Sequence, residues 1–380
     1  LMPMQAISAG LLAGVVGFAS SFAVVLQGFV AMGASPSQAA SGLMAVSIAM
    51  GLCGVLLSLW KRMPISCAWS TPGAALMAAS IMPAGGFAEA VGAFITCALL
   101  LILAGLWKPL GRAVAAIPAS LANAMLAGIL FGLCLAPVRA LAEAPIAALA
   151  FIAAWVIAGR WHRLAAVPAA VIVAGVIIAF QAPMPQGNWT PSPEWVTPVF
   201  SLTAITGLAL PLFIVTMASQ NIPGIAVLSA NNYRPNAGPL FSITGCFSLL
   251  AAPFGGHAVN LAAITAAMCA GDGAGPDPAR RWPAAVMAGL VYTTCGLAAG
   301  MASGLVAVAP PILIEAVAGL ALLGSFAGAL MGAVREEKDR EAAVICFLIA
   351  ASGVAFLGIG GAFWGLLAGG GMLMLSRWRR

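Results

Sequence analysis

The chain has 380 residues, of which 62% are hydrophobic and 7% charged, and a formal net charge of +6. A soluble domain carries about 25% charged residues, so no water-soluble fold could hide this much apolar surface, and lipid is the expected solvent. The positive balance therefore reads as a question of placement across a membrane, not as nucleic-acid binding.

A helix crossing a bilayer needs about 20 mostly apolar residues. Runs of that kind, set off by charged or Pro/Gly-rich breaks, fall near 8–32, 37–60, 64–82, 87–107, 113–134, 142–159 and 164–180. The first run lacks a basic leader region and a cleavage site, so it is expected to span rather than be removed. A Pro- and Trp-rich stretch at 181–198 follows. Seven more runs then lie near 202–229, 238–252, 254–270, 282–302, 309–330, 341–357 and 359–377.

Charge tests this partition independently, because Lys and Arg collect on the cytoplasmic side. With the N-terminus inside, the inner loops hold every basic residue from Lys61 to Arg380 except Arg139. One span more or fewer in the middle would scramble that sorting. The expectation is an all-α integral membrane protein with fourteen transmembrane segments and both termini cytoplasmic, multi-pass in the cell inner (plasma) membrane. Seven segments per half invert the second half, giving a 7+7 inverted repeat, an arrangement of secondary transporters with the site near the midplane. Trp189 and Trp195, in the long outer stretch 181–198, suit the interfacial aromatic belt.

Eight scattered cysteines show no paired spacing and support neither a disulfide framework nor a zinc site. The run Arg335 to Glu341 reads as a solvated inner loop. The stripe Gly361, Gly365 and Gly369 reads as close helix packing rather than as a dimer motif.

Segments three and ten depart from the apolar-rod pattern. The third reads Met63-Pro64-Ile65-Ser66-Cys67-Ala68-Trp69-Ser70-Thr71-Pro72-Gly73; the tenth reads Pro253-Phe254-Gly255-Gly256-His257-Ala258-Val259-Asn260-Leu261. Thr71 follows Pro64 by the interval at which Asn260 follows Pro253. Each segment is expected to be a short extended strand followed by a half-helix, with Thr71 and Asn260 as N-caps. From 72 to 82, at about 1.5 Å per residue, the helix spans roughly 16 Å, or half of the hydrocarbon core. In an inverted repeat the two helix starts face each other, and their partial positive charge makes a site for a small anion without a buried Lys or Arg.

The remaining candidate site residues are the polar groups at comparable depth. Ser20, Ser21 and Gln27 lie in the first segment. Gln220 and Asn221 precede Pro223-Gly224 in the eighth, where they either satisfy freed backbone groups or face the cavity. Trp69 stacks on a substrate ring or packs the scaffold. Ser70, Gly256 and His257 lie in the breaks, and an imidazole with an ordinary pKa of about 6.5 suits proton coupling or substrate contact. Glu315 sits one turn after Pro310-Pro311, where a helix dipole favours an acid.

Three stretches carry a family resemblance: Gly17-Phe18-Ala19-Ser20-Ser21-Phe22 continuing to Gln27-Gly28, Gly33-Ala34-Ser35-Pro36 continuing to Ser41-Gly42, and Met63 through Gly73. On these the chain resembles the benzoate:proton symporter family (BenE-type permeases) over nearly its full length. That family is distantly similar to the uracil/xanthine and sulfate permeases. The resemblance implies a core domain of segments 1–4 and 8–11 that carries the substrate, and a gate domain of segments 5–7 and 12–14 that serves as scaffold or homodimer side. In residues this gives 1–134 (core segments 1–4 and the start of the gate), 135–180 (gate), 181–198 (extracytoplasmic linker), 199–302 (core) and 303–380 (gate).

The resemblance also implies an elevator-like motion of core against gate. Uracil permeases place glutamates on segments eight and ten, at positions that fall here on Gln220 and His257. A carboxylate there suits a nucleobase, whereas Gln and His donate hydrogen bonds to an anion. The expected activity is import of benzoate or a related aromatic carboxylate with a proton, with no cofactor, no metal and no enzymatic role. A nucleobase or other small-anion transporter of the same fold, and a passive anion channel, are the alternatives.

Overall fold

The computed structural model describes residues 4–183, 187–357 and 359–378. The chain opens with α1 (Met4–Ala19) and α2 (Phe22–Ala31), then α3 (Pro36–Lys61), β1 (Cys67–Trp69) and α4 (Thr71–Ala79). Next come α5 (Gly86–Leu106), α6 (Lys108–Ala115), α7 (Ala119–Cys134), α8 (Ala136–Glu143), α9 (Pro145–Trp161) and α10 (Ala166–Gln181). After the linker, α11 (Leu202–Ala204), α12 (Leu210–Thr216) and α13 (Ile222–Ala230) form one interrupted rod, followed by α14 (Ala237–Ala251), β2 (Val259–Leu261) and α15 (Ile264–Ala270). The last elements are α16 (Trp282–Leu297), α17 (Ala299–Val308), α18 (Pro311–Val334), α19 (Arg340–Ala351), the strand pair β3 (Ala355–Phe356) and β4 (Ile359–Gly360), and α20 (Gly361–Trp378).

Among the described residues, eight helices are long and apolar enough to cross a membrane, and a ninth arises if α16 and α17, bent by 55°, count as one. The protein is thus a mostly helical multi-pass membrane protein. Several expected segments differ from uninterrupted rods. The first is broken at Ser20–Ser21, where Ser21 leaves helical geometry with φ −145° and ψ 0°. The eighth is interrupted by π turns at Ile205–Ala209 and Met217–Asn221, not at Pro223-Gly224 itself. Each π turn contains the residue four before a proline, Gly207 before Pro211 and Ser219 before Pro223. Proline cannot bond that carbonyl and its ring crowds it, so the helix widens there. The thirteenth ends at Ala351, not 357, and its twelve residues reach only about 18 Å.

Local signals fix several ends. Ser35 and Gln38 form a reciprocal capping box with Pro36 at the first helical turn, which starts α3. The linker is held onto the helices: the Ser41 hydroxyl accepts from Glu194 N (2.8 Å) and donates to Phe254 O (3.0 Å), and Val196 N donates to Pro253 O (2.8 Å).

Small residues set two of the main crossings. Helices α3 and α16 meet where a Cβ on Gly289 would strike Gly51 O, and α5 and α14 meet where a Cβ on Gly238 would lie 2.9 Å from Gly105 O. Lipid supplies no hydrophobic drive between helices, so such backbone approach is what holds them. The Gly361–Gly365–Gly369 stripe also packs within the chain: a Cβ on Gly365 would lie 2.6 Å from Cys346 O of α19. The Arg335–Glu341 loop is not wholly solvated, because Asp339 is buried and accepts from the Ser120 hydroxyl (3.1 Å). All eight cysteines are free, with Cys53 and Cys67 sulfurs 3.6 Å apart.

Candidate functional site

Strands β1 and β2 pair antiparallel in the register Cys67↔Leu261, Ala68↔Asn260 and Trp69↔Val259. Ser70 N to Ala258 O and Ala262 N to Ser66 O, both 2.9 Å, extend the ladder at its two ends. The outward N–H groups take side-chain acceptors. Val259 N donates to the Ser248 hydroxyl and Leu261 N to the Asn221 amide oxygen, both at 2.8 Å, and Trp69 N meets Met50 Sδ at 2.9 Å. The helices α4 and α15 leave opposite ends of this sheet, whose ladder from Ser66 to Ser70 runs four residue steps, or roughly 13 Å.

The caps differ from the sequence expectation. Ser70, not Thr71, caps α4, its hydroxyl accepting from Gly73 N at 3.1 Å, and Thr71 is the first helical residue. Asn260 caps nothing. It lies inside β2, and α15 begins only at Ile264 with no side-chain cap. With its amide oriented to suit its neighbours, Asn260 donates to Ala68 O and Leu261 O and accepts from Ser70 N, at 3.3, 2.9 and 3.2 Å. A strand side chain bonded this fully is a brace for the sheet.

Both helix starts border one cavity of about 210 Å³. Thr71 and Pro72 line it from α4, and Ala262, Ala263 and Thr265 line it from the β2–α15 junction. Ser20, Ser21, Trp69 and Gln220 complete the polar wall, with Val16, Met50 and Tyr292 beside them. Leu130, Arg163, Leu164, Leu322 and Ser325 close it from α7, the 163–165 turn and α18.

Five of the expected site residues thus meet in this space: Ser20, Ser21, Trp69, Thr71 and Gln220. Their chemistry differs. The Trp69 indole N–H donates to the Ser21 hydroxyl at 2.7 Å, and its ring tilts against Phe18. The Thr71 hydroxyl, the Gln220 amide, the Ser325 hydroxyl and the Arg163 guanidinium have no partner among the described residues, so they are available to a ligand. No Asp or Glu lines the cavity.

The other expected site residues are elsewhere. Ser70, Asn221, Gly256, His257 and Asn260 are buried beneath the wall. His257 is 0% exposed; its Nε2 lies 2.9 Å from Ser70 O and its ring meets Phe29 and Phe94 edge-on, while Nδ1 has no partner. Gly256 is needed for packing, since a Cβ there would lie 2.8 Å from that of Ala251. Gln27 lines a second cavity of about 730 Å³ at the far end of α4, together with Ala78, Ala79, Arg139 and Glu315.

Sequence reasoning missed Arg163, Thr265, Tyr292 and Ser325. Arg163 reads as loop charge, and Thr265 and Ser325 carry only the faint signal of a hydroxyl within an apolar run. Tyr292 is one of two tyrosines in the chain and sits mid-span, which was a usable clue. Among the described residues no three His, Cys, Asp or Glu side chains converge as a metal site would need.

A family model described as "Benzoate membrane transport protein" (BenE) matches residues 1–375. The chain is 39% identical over 377 residues to the inner membrane protein YdcO of Escherichia coli (strain K12), covering 97% of this chain and 95% of that protein. It is 32% identical over 370 residues to a benzoate membrane transport protein of Acinetobacter baylyi (strain ATCC 33305 / BD413 / ADP1), covering 96% and 93%. Among solved structures, the transmembrane domain of the cyanobacterium bicarbonate transporter BicA superposes with a TM-score of 0.61 at 18% identity, covering 92% of this chain and 98% of that one. SLC26A9 does so with a TM-score of 0.58 at 16% identity, covering 98% and 65%. At those identities the likeness is one of fold.

Proposed function

This chain belongs to the benzoate membrane transport family, and from that premise we propose that it is a secondary transporter carrying benzoate or a related aromatic carboxylate across the inner membrane with a proton. The observation that carries the reading is the cavity between the two helix starts: it contains unpaired hydrogen-bond donors, an aromatic wall and no carboxylate. Pro72 has no N–H and Ser70 already holds Gly73 N. What α4 offers an anion is therefore the Thr71 N–H and hydroxyl plus the field of its aligned peptides. The Gln220 amide and Arg163 add donors, and Leu164 and Val167 offer an apolar surface to a ring, backed by the buried Trp69. A carboxylate in the wall would repel such a substrate and favour a nucleobase instead.

In this reading the chain crosses the membrane fourteen times, both termini inside, as a 7+7 inverted repeat. The helix pairing supports it: α3 on α16 and α14 on α5 are one contact seen twice, since each joins the second segment of one half to the fourth of the other. Core (1–4, 8–11) then moves elevator-like against gate (5–7, 12–14) across the cavity to give alternating access. His257, sealed behind Ser70, acts as a positioning residue. The transported proton then has the substrate's own carboxylate as its acidic partner in the cavity.

Proteoliposomes should accumulate labelled benzoate when an inward pH gradient is imposed, and His257→Gln should keep that coupling. Uptake that ignores the gradient removes the proton from the mechanism. Stronger competition by uracil than by unlabelled benzoate replaces the substrate class.

A further inference from the structure

The second cavity has no role in the site just described, yet both of its charged side chains are left unpaired among the described residues. It lies between α2 and α4 on one side and α7, α8, α17 and α18 on the other. Arg139 of α8 is exposed at its wall and makes no hydrogen bond or ion pair among the described residues. Glu315, one turn into α18, is half-buried and equally unpaired in the same space. Gln27 of α2 adds an amide whose oxygen is buried without a partner. Arg139 is also the one cation that charge sorting leaves on the far side from the basic loops, where a basic side chain is disfavoured unless it has work there.

Resting on the transport reading above, we infer that this cavity is a capture site for the same aromatic carboxylate on the outer face, with the Arg139 guanidinium as its charge partner. A guanidinium presents paired N–H donors that match a carboxylate. Val30, Leu133 and Val306 supply the apolar surface for the ring. Glu315 opposes the substrate charge and keeps the binding shallow, as a station on a path requires, since a ligand held too tightly would not leave.

The geometry joins this station to the inner cavity. Gln27 and Ser21 lie on one segment about 9 Å apart along its axis, one in each cavity. Helix α4 starts in the inner cavity at Thr71 and ends in the outer one at Ala78–Ala79, roughly 11–12 Å away. A ligand captured at the outer end therefore reaches the inner cavity by passing along α4 at the seam between core and gate.

The test measures each face separately in membranes of defined orientation at low salt. Arg139→Ala should raise the half-saturating benzoate concentration on the outer face about five- to tenfold. It should leave maximal rate and inner-face half-saturation within about twofold. Arg139→Lys should fall between, Glu315→Gln should lower the outer-face value, and high salt should shrink all three effects.

A readout without transport uses Ala307→Cys, which lies in the cavity, labelled from outside by anionic and cationic methanethiosulfonates. Arg139→Ala should lower the anionic-to-cationic rate ratio about fivefold, and benzoate should protect the cysteine. An unchanged ratio with unchanged outer-face half-saturation overturns the inference, as does equal loss on both faces. If the wild type carries no aromatic carboxylate but the ratio still follows Arg139 and benzoate still protects, the transport reading falls and the capture site stands.

Discussion

Changing Asn221 to alanine removes the oxygen that accepts Leu261 N–H at 2.8 Å, in a fully buried position. No water reaches that edge of β2, so the N–H is left unsatisfied, at about 1–3 kcal/mol. Taking about 2 kcal/mol, the folded-to-unfolded ratio falls roughly thirtyfold. Its neighbour Gln220 occupies the same π turn but is only half-buried, has no partner and faces the cavity. Gln220→Ala should therefore change stability by less than about 0.5 kcal/mol. It should instead lose one hydrogen bond to a charged ligand, about 1.5–3 kcal/mol, or roughly ten- to hundredfold in benzoate affinity.

A melting assay with a thiol-reactive dye reads the first effect directly, because Cys53, Cys67, Cys97, Cys269 and Cys346 are buried and react only on unfolding. Ligand-induced stabilisation in the same assay reads the second. Asn221→Ala melting with the parent protein, or Gln220→Ala melting as early as Asn221→Ala, would refute the division of labour between them.

Three further substitutions probe the scaffold. Ser70→Ala deletes the α4 cap and the partner of the Thr216 hydroxyl (2.9 Å); it should cost about 1 kcal/mol and weaken benzoate-induced stabilisation several-fold in the same melting assay. Gly289→Leu should drive α3 and α16 apart and shift the protein to aggregates on size-exclusion chromatography, while Gly324→Ala, with open space around it, should elute normally. Arg281→Ala removes donors to Ala270 O and Gly275 O, both at 2.6 Å, and should cost about 2–3 kcal/mol. Asp272→Asn, losing only the exposed end of that cluster, should cost less than about 1 kcal/mol on the same melt.

Much of the architecture was legible because the physics behind it acts on composition. Lipid tolerates neither charge nor unpaired backbone, so apolar runs and basic loops mark the segments, and Pro64 and Pro253 mark the two that break. What the sequence could not give was which backbone group each polar side chain would find. Thr71 and Asn260 both read as helix N-caps, yet the cap of α4 is Ser70, and Asn260 braces a strand, a choice made by the register Ala68↔Asn260. The break at Ser20–Ser21 has no proline to announce it. His257 looked exposed to a cavity because glycines precede it, but those glycines admit Phe87, Ala251 and Val46, and Phe29 and Phe94 close on the ring itself. Arg163 was hidden by its own type: a cation in a loop between apolar segments is ordinary until the fold turns it over a cavity.

These cases follow from one constraint on extended backbone in lipid. A two-stranded sheet satisfies only its inner edges, and no solvent serves the outer ones. Here the outer groups of β2 are taken by Ser248 and Asn221, that of Trp69 by Met50, and the space between the strand ends by Asn260 and His257. The two strand segments and the Met217–Asn221 turn thus spend most of their hydrogen-bonding capacity on holding β1 and β2 together. Only the groups that the sheet does not need, the Thr71 hydroxyl and the Gln220 amide among them, are left for a ligand. A site built this way is rigid because its neighbours are fully bonded, so substitutions in the second group should change affinity and those in the first should change folding.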